Sequence, residues 1–364
     1  MLTISKKTEV YVDGLGLLST PFIMASSDIS GFKLKVTEFP GYGATIFKSI
    51  TQKRITGYKG KYIFDVKEYT KKVPVQSGDY FQSGIFGYYI NGETLPVQDN
   101  TYVGSSGLRN DGVEHFCNNY LEQTLQTKGN IIISIAGTKL QNFFDTAKKI
   151  KGHIDRVTEN KTPVKFGVEI NLQCPTTSPK EVSFDRDSVR TYFECFKKIF
   201  GNAPLLSIKV GYDIEKNLDI VRGAVDGGAT AVSAINMLKP IPPNFMKVCD
   251  MFHTQQKKRA GGFTGRMIFP YAVRAVAAVR KTINELNTNR PVYIIGTGGL
   301  GFGSKEHNIE DIITMTKVGA DLFGICSRNI TDKNVAKNLQ VGLLNYMHEN
   351  KLKDMNEFYR FVRE

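Results

Sequence analysis

The chain has 364 residues, of which 41% are hydrophobic and 11% aromatic, enough for a large core and too apolar for a disordered segment. No stretch reaches the roughly 20 apolar residues of a membrane span, and residues 1–14 are too polar for a signal peptide, so no membrane association is expected. The net charge of +13 is dispersed, and its short patches (Lys53-Arg54, Lys71-Lys72, Lys257-Lys258-Arg259) lack the interleaved aromatics of a nucleic-acid module. A basic surface that attracts small anions is the expectation, with no nucleic-acid partner.

In chain order, residues 3–18, with Tyr11, Asp13 and Gly14, read as a hairpin that caps one end of a barrel. Eight short apolar, β-branched runs follow at 21–26, 44–49, 131–136, 166–172, 205–210, 229–236, 292–296 and 321–326. Their hydrophobicity is continuous, as in parallel strands covered on both faces. Helical stripes lie between them. One is Leu140, Phe143, Phe144, Ala147, Ile150 and Ile154; another is Val189, Phe193, Phe196, Ile199 and Phe200. Further helices are predicted at about 269–286, 334–346 and 355–362.

Strands alternating with helices predict a parallel sheet, and eight such units predict an α/β fold closed as a single (β/α)8 TIM barrel over residues 1–364. Two connections exceed a simple crossover. One is an insertion at about 51–125 after strand two, whose Tyr-, Gly- and Lys-rich part (57–102) suggests a small β unit. The other is a loop at about 237–265 after strand six, containing Pro240, Pro242 and Pro243. Both leave the C-terminal ends of strands, over the face where barrels carry their chemistry.

The same face collects the candidate reactive groups. The apolar run Val168 to Leu172 carries Asn171 and Cys174 to its end, where Pro175 stops the ladder for want of an N–H. Cys117, Cys195, Cys249 and Cys326 lack that setting, and the five cysteines show no metal or disulfide spacing, which fits a reducing, cytoplasmic compartment. Lys48 and Lys209 lie inside apolar strands, where an ammonium requires an anion. A reduced flavin would supply one; an internal carboxylate such as Glu169 would supply another. Glycine turns at 296–299 and 261–265, with Cys326-Ser327 closing strand eight, offer backbone N–H groups to a phosphate, or are plain tight turns. Asn236 and Asn171 are buried amides that need partners from backbone or ligand.

In Met24-Ala25-Ser26, Ile46-Phe47-Lys48-Ser49, Ser134-Ile135-Ala136-Gly137, Glu169-Ile170-Asn171-Leu172-Gln173-Cys174-Pro175, Gly261-Gly262 and Gly296-Thr297-Gly298-Gly299, the chain resembles the class 1 dihydroorotate dehydrogenases. Among them it looks like the fumarate-using type, with the flavin domain of dihydropyrimidine dehydrogenases as a relative. The resemblance implies an FMN enzyme that oxidises dihydroorotate in pyrimidine synthesis, as a homodimer with a soluble acceptor. It matches Cys174 to the catalytic base and Lys48 to a residue near both flavin and substrate. Gly107, Leu108, Asn171 and Asn236 correspond to substrate contacts. Ala25, Ser26, Lys48, Ser49, Asn171, Lys209, Gly261, Gly262, Thr297, Gly298, Gly299, Cys326 and Ser327 correspond to flavin contacts.

Three positions depart from the family pattern. Thr176 follows Cys-Pro where asparagine is usual; Gly104 stands where the insertion loop carries an asparagine; Met237 follows Asn236 where a serine or threonine is usual. A site that reads ring polar groups discriminates steeply when a partner is lost. The alternatives are therefore an FMN oxidoreductase for another dihydropyrimidine, such as dihydrouracil, and a barrel that binds flavin or an anion without turnover.

Overall fold

The computed structural model describes residues 6–26, 39–57, 63–65, 87–90, 93–96, 100–104, 108–126, 130–159, 165–173, 182–201, 204–238 and 262–364. Eight strands among them close into a barrel: β1 (Phe22–Met24), β2 (Ala44–Ile50), β3 (Asn130–Ile135), β4 (Phe166–Ile170), β5 (Leu205–Val210), β6 (Ala231–Ala234), β7 (Tyr293–Thr297) and β8 (Leu322–Ile325). Each pairs in parallel with its neighbours in sequence, and β8 closes on β1 through Gly324 opposite Ile23. The predicted TIM barrel is the fold observed.

The outer layer holds α1 (Leu140–Thr158), α2 (Arg186–Phe200), α3 (Ile214–Asp226), α4 (Phe269–Glu285), α5 (Lys305–Lys317), α6 (Val335–Glu349) and α7 (Met355–Arg363). Outward strand residues such as Val168 and Ile170 meet the helix stripes there. Phe196 packs edge-on to Phe193 with ring centres 5.9 Å apart and lies 5.0 Å from Phe144 across α1 and α2. Burying one such ring contributes about 1.5–3 kcal/mol. The helix begins at Asp185, whose carboxylate accepts the Ser188 N–H at 2.9 Å.

The helices α3 and α5 do not stand out in the sequence as the others do. In α5 the reason is that two polar residues face inward: Asp311 and Thr316 are buried, and the Thr316 hydroxyl donates to the Ile312 carbonyl at 2.8 Å.

The hairpin of Val10–Val12 and Gly16–Leu18 closes the N-terminal end of the barrel. Val12, Leu15 and Leu18 join Ile23, Ile46, Ile132, Leu205, Ile295 and Leu322 in one inner apolar cluster. Gly14 turns the hairpin at φ 85°, and a Cβ there would stand 2.3 Å from the Leu205 backbone nitrogen. Only glycine meets both conditions.

The stretch 51–125 contains further strands. Ile63–Asp65 and Thr101–Gly104 pair antiparallel, and Gly87–Ile90 pairs with Glu93–Pro96 in a separate hairpin. The run 261–265 differs from its reading as a turn. Gly262–Gly265 is a strand, paired antiparallel with Thr101–Gly104 and bridged to Leu238 through Phe263.

Candidate active site at the C-terminal mouth of the barrel

Side chains two apart in a strand share a face, and here that period grades the barrel interior from apolar to polar. In β5 the inward residues are Leu205, Ser207 and Lys209; in β3, Ile132 and Ser134; in β4, Gly167 and Glu169; in β6, Ala231 and Ser233. The first residue of each set lies beside the hairpin plug, or, for Gly167, leaves room for Ile132 and Leu205. The later residues form a polar layer under the mouth.

That layer is hydrogen-bonded through. The Ser134 hydroxyl donates to Glu169 Oε1 at 3.0 Å, and the Ser49 and Ser134 hydroxyls are 2.8 Å apart. Asn171 Nδ2 donates to Ser49 Oγ at 3.2 Å, and Asn236 Nδ2 donates to Asn171 Oδ1 at 3.1 Å and to the Gln173 carbonyl at 3.0 Å. Ser207 and Ser233 pair at 3.3 Å. The two asparagines that the sequence singles out are thus neighbours, 5% and 7% exposed.

Both of the open readings of Lys209 bear on its geometry. Its Nζ stands 4.0 Å from Glu169 Oε1, at the outer limit of an ion pair. Among the described residues Glu169 Oε2 has no hydrogen-bond partner, so the need of this carboxylate is met only in part, by Ser134 and by the ammonium at 4.0 Å. Lys48 is half-buried in β2, two residues on from the inward Ile46. Ser49 is buried beside it, in the stretch where the β2–β3 register shifts.

At the ends of β7, β8 and β1, Thr297, Ser327 and Ala25 are buried, and Ser26 and Cys326 are half-buried. The Ala25 N–H donates to the Ile325 carbonyl at 2.8 Å. Gly298 and Gly299 have φ of 138° and 75° and run against the N-terminus of α4: a Cβ on Gly299 would lie 2.6 Å from Phe269 Cβ, and one on Gly298 2.9 Å from Ala272 Cβ. Close packing on α4 therefore accounts for both glycines, and the turn they make lies beside a helix N-terminus. Gly262 faces Met237 Cβ, which a Cβ would approach to 2.7 Å. Its strand touches the β8 end, where the Thr264 and Ser327 hydroxyls are 3.1 Å apart. The 3-10 turn Ser327–Ile330 is pinned by Tyr42, whose hydroxyl donates to Asn329 Oδ1 at 2.7 Å. Burial raises the Tyr42 phenol far above its ordinary range, so it acts as a neutral donor.

Leu108 is buried with φ 56° against Ala136 and Ile55, held by Asn110, whose Nδ2 donates to the Leu108 carbonyl at 2.8 Å. Cys174, Gly107, Gly261 and Thr176 lie outside the described residues. Among those described, no cluster of His, Cys, Asp and Glu could hold a metal, and no helix is long and apolar enough to cross a membrane.

The roles of Ser134 and Glu169 are not evident from continuous hydrophobicity. The signal that reveals them is the polar residue two places after an inward apolar one, repeated in β3, β5 and β6.

The residues present suit an aromatic, anionic cofactor: an ammonium above a polar layer, and a glycine turn beside a helix N-terminus. Comparison with known proteins gives the barrel its family. A family model described as dihydroorotate dehydrogenase matches residues 95–347. The chain belongs to the dihydroorotate dehydrogenase family. It is 27% identical over 308 residues to the catalytic subunit of dihydroorotate dehydrogenase B (NAD(+)) from Alkaliphilus metalliredigens, covering 80% of this chain and 89% of that one. The subunit of the same name from Bacteroides thetaiotaomicron is 24% identical over 290 residues, covering 75% and 85%. In structure the chain is similar to a dihydroorotate dehydrogenase of Eimeria tenella solved with ferulenol. That match has a TM-score of 0.69 and 16% identity, over 100% of this chain and 88% of that one, and speaks to the fold. Dihydroorotate dehydrogenases are oxidoreductases, and this chain is placed among enzymes accordingly.

Proposed function

We propose that the chain oxidises (S)-dihydroorotate to orotate with FMN, as a class 1 enzyme of cytoplasmic pyrimidine synthesis. The observation that carries this is the polar layer at the barrel mouth, with Asn171, Asn236 and Lys209 together at the ends of β4, β6 and β5.

When bound, FMN supplies the acceptor for the hydride that leaves C6 of the substrate. The protein has to bind, orient and remove a proton. Cys174 is the proposed base for the C5 proton, a task for a thiolate that neighbouring cations favour. Asn171 and Asn236 read the ring amides, with Lys48, Gly107 and Leu108 completing the substrate contacts. Lys209 would face the electron-rich edge of the flavin. Ala25, Ser26, Ser49, Gly261, Gly262, Thr297, Gly298, Gly299, Cys326 and Ser327 would line the cofactor. A homodimer follows from the same resemblance.

The oxidant has two readings. A soluble acceptor such as fumarate needs nothing beyond this chain. The relatives named as NAD(+)-linked catalytic subunits favour the second, in which electrons leave through a partner protein. Steady-state turnover of dihydroorotate by the isolated chain with fumarate supports the first; turnover only with an artificial dye supports the second.

Cys174→Ser tests the assignment of the base. The variant is expected to retain FMN while flavin reduction by dihydroorotate at neutral pH slows by about 10²-fold or more. Reduction at the wild-type rate would contradict it.

A further inference from the structure

We propose that Glu169 is a positioning residue: it anchors the lower end of a buried hydrogen-bond relay whose upper end is the Gln173 carbonyl, and thereby helps to hold the amide atoms that Asn171 and Asn236 offer to the substrate. The inference rests on the dihydroorotate reading of this mouth and adds to it a residue that does not touch the substrate.

The relay has two ends that can only accept. At the top is the Gln173 backbone carbonyl, 3.0 Å from Asn236. A carbonyl has no proton to give, so the atom facing it is Nδ2, and the Asn236 amide orientation is settled. The second proton of that Nδ2 goes to Asn171 Oδ1 at 3.1 Å. This turns Asn171 so that its own Nδ2 faces Ser49 Oγ at 3.2 Å. Ser49, accepting from Asn171, gives its proton to Ser134 at 2.8 Å, and Ser134 gives its proton to Glu169 Oε1 at 3.0 Å. Apart from the Asn236 N–H that meets the Gln173 carbonyl, every donor points down to one carboxylate.

The reverse arrangement is poorer. If Ser134 donated to Ser49, Ser49 would accept from both Ser134 and Asn171, its own proton would have no acceptor in the relay, and Glu169 Oε1 would lose the Ser134 proton. The Gln173 carbonyl orients the two amides, and the buried carboxylate orients the two hydroxyl rotors so that Ser49 stays an acceptor for Asn171. Glu169 and Ser134 are wholly buried, so bulk solvent reaches neither position. In that arrangement Asn236 Oδ1 is engaged by no described residue and is left as an acceptor at the mouth, suited to a ring N–H. Asn171 keeps one N–H that no described residue engages, suited to a ring carbonyl. A dihydropyrimidine with alternating N–H and C=O groups is the class of ligand this pair would take. Lys209, 4.0 Å away, helps to hold the charge of the anchor.

The test is orotate binding by titration calorimetry to FMN-loaded wild type, Ser134→Ala, Glu169→Gln and the double variant. Ser134→Ala cuts the relay without touching the charge. Glu169→Gln replaces a symmetric acceptor with a group that accepts on one side only. Each single change is expected to weaken orotate binding roughly tenfold, near the worth of one charge-assisted hydrogen bond. Both act through one relay, so the double variant should bind within about twofold of the weaker single. Ser134→Cys, a poor donor of similar size, replaces Ser134→Ala if that variant does not fold, with the same expectation. FMN affinity is measured alongside and is expected to stay within a few-fold. Losses that multiply in the double variant, or orotate binding by Ser134→Ala within twofold of wild type, would overturn the proposal. Wild type that holds FMN but binds no orotate would instead remove the dihydroorotate reading beneath it, a result told apart from the first by the wild-type titration alone.

Discussion

A Cβ placed on Gly104 would lie 2.8 Å from the sulfur of Met237, so two of the three positions that depart from the family pattern are in contact. The methionine occupies the space between the strand Thr101–Gly104 and Gly262, where a Cβ would also reach it at 2.7 Å. A long side chain after Asn236 and a missing one at 104 are therefore one change made in two places.

This coupling predicts a stability pattern. Restoring the family residue alone, Gly104→Asn, should overpack the contact and cost about 1–3 kcal/mol. Adding Met237→Thr should recover most of that loss. Thermal melts of the singles and the double check it, and additive losses would contradict the contact.

Gly299 is tightly constrained, with φ of 75° and Phe269 Cβ 2.6 Å from its virtual Cβ. Gly299→Ala should lower stability by about 1–3 kcal/mol through strain and displacement of α4. FMN retention on gel filtration should fall with it, because the displaced turn lies beside the helix N-terminus. Retained FMN in a destabilised variant would show that the turn packs the helix and does not hold the cofactor.

The ion pair of Arg266 with Asp311 joins the end of the mouth strand to α5. Burial raises the Asp311 carboxyl above its ordinary value, and the hydrogen bond and charge of Arg266 only partly offset this. A carboxyl whose folded value is raised favours the fold most at low pH, and that contribution falls as pH rises through the folded value. Arg266→Met removes the offsetting cation, so its penalty should be about 3 kcal/mol or more at pH 8 and smaller at pH 5, closer to the range in which a proton neutralises the stranded carboxylate. Urea denaturation at both pH values reads the difference; equal penalties would mean that the pair contributes no buried charge.

Cys117 is pushed up to about 11, chiefly by burial and secondarily by Glu114. It should resist iodoacetamide in the folded protein at pH 8 and react increasingly toward pH 11, while Cys174, if it is the base, reacts at pH 8. The unfolded thiol loses its proton first, so the Cys117 contribution to stability falls between about pH 9 and 11. Peptide mass spectrometry of alkylated protein gives the order of modification.

The barrel was legible in the sequence because parallel strands covered on both faces must be apolar throughout, and runs such as 205–210 are. The same property hid the polar layer: Ser207 and Ser134 are small enough to sit in an apolar run without breaking it. Helix α5 escaped because Asp311 and Thr316 point inward, which breaks the stripe. The run 261–265 read as a turn because glycines usually mean one; here Gly262 is required by Met237, a contact between segments that no local pattern encodes. The asparagine pair was legible one residue at a time, and its hydrogen-bond direction became apparent only with β2, β3 and β4 in register.

The most direct measurement is the anaerobic absorbance of FMN-loaded protein on addition of dihydroorotate, with dihydrouracil as the comparison. The account predicts rapid bleaching of the flavin band by dihydroorotate and little or none by dihydrouracil. Bleaching by dihydrouracil alone, or a protein that takes up no FMN, would contradict it.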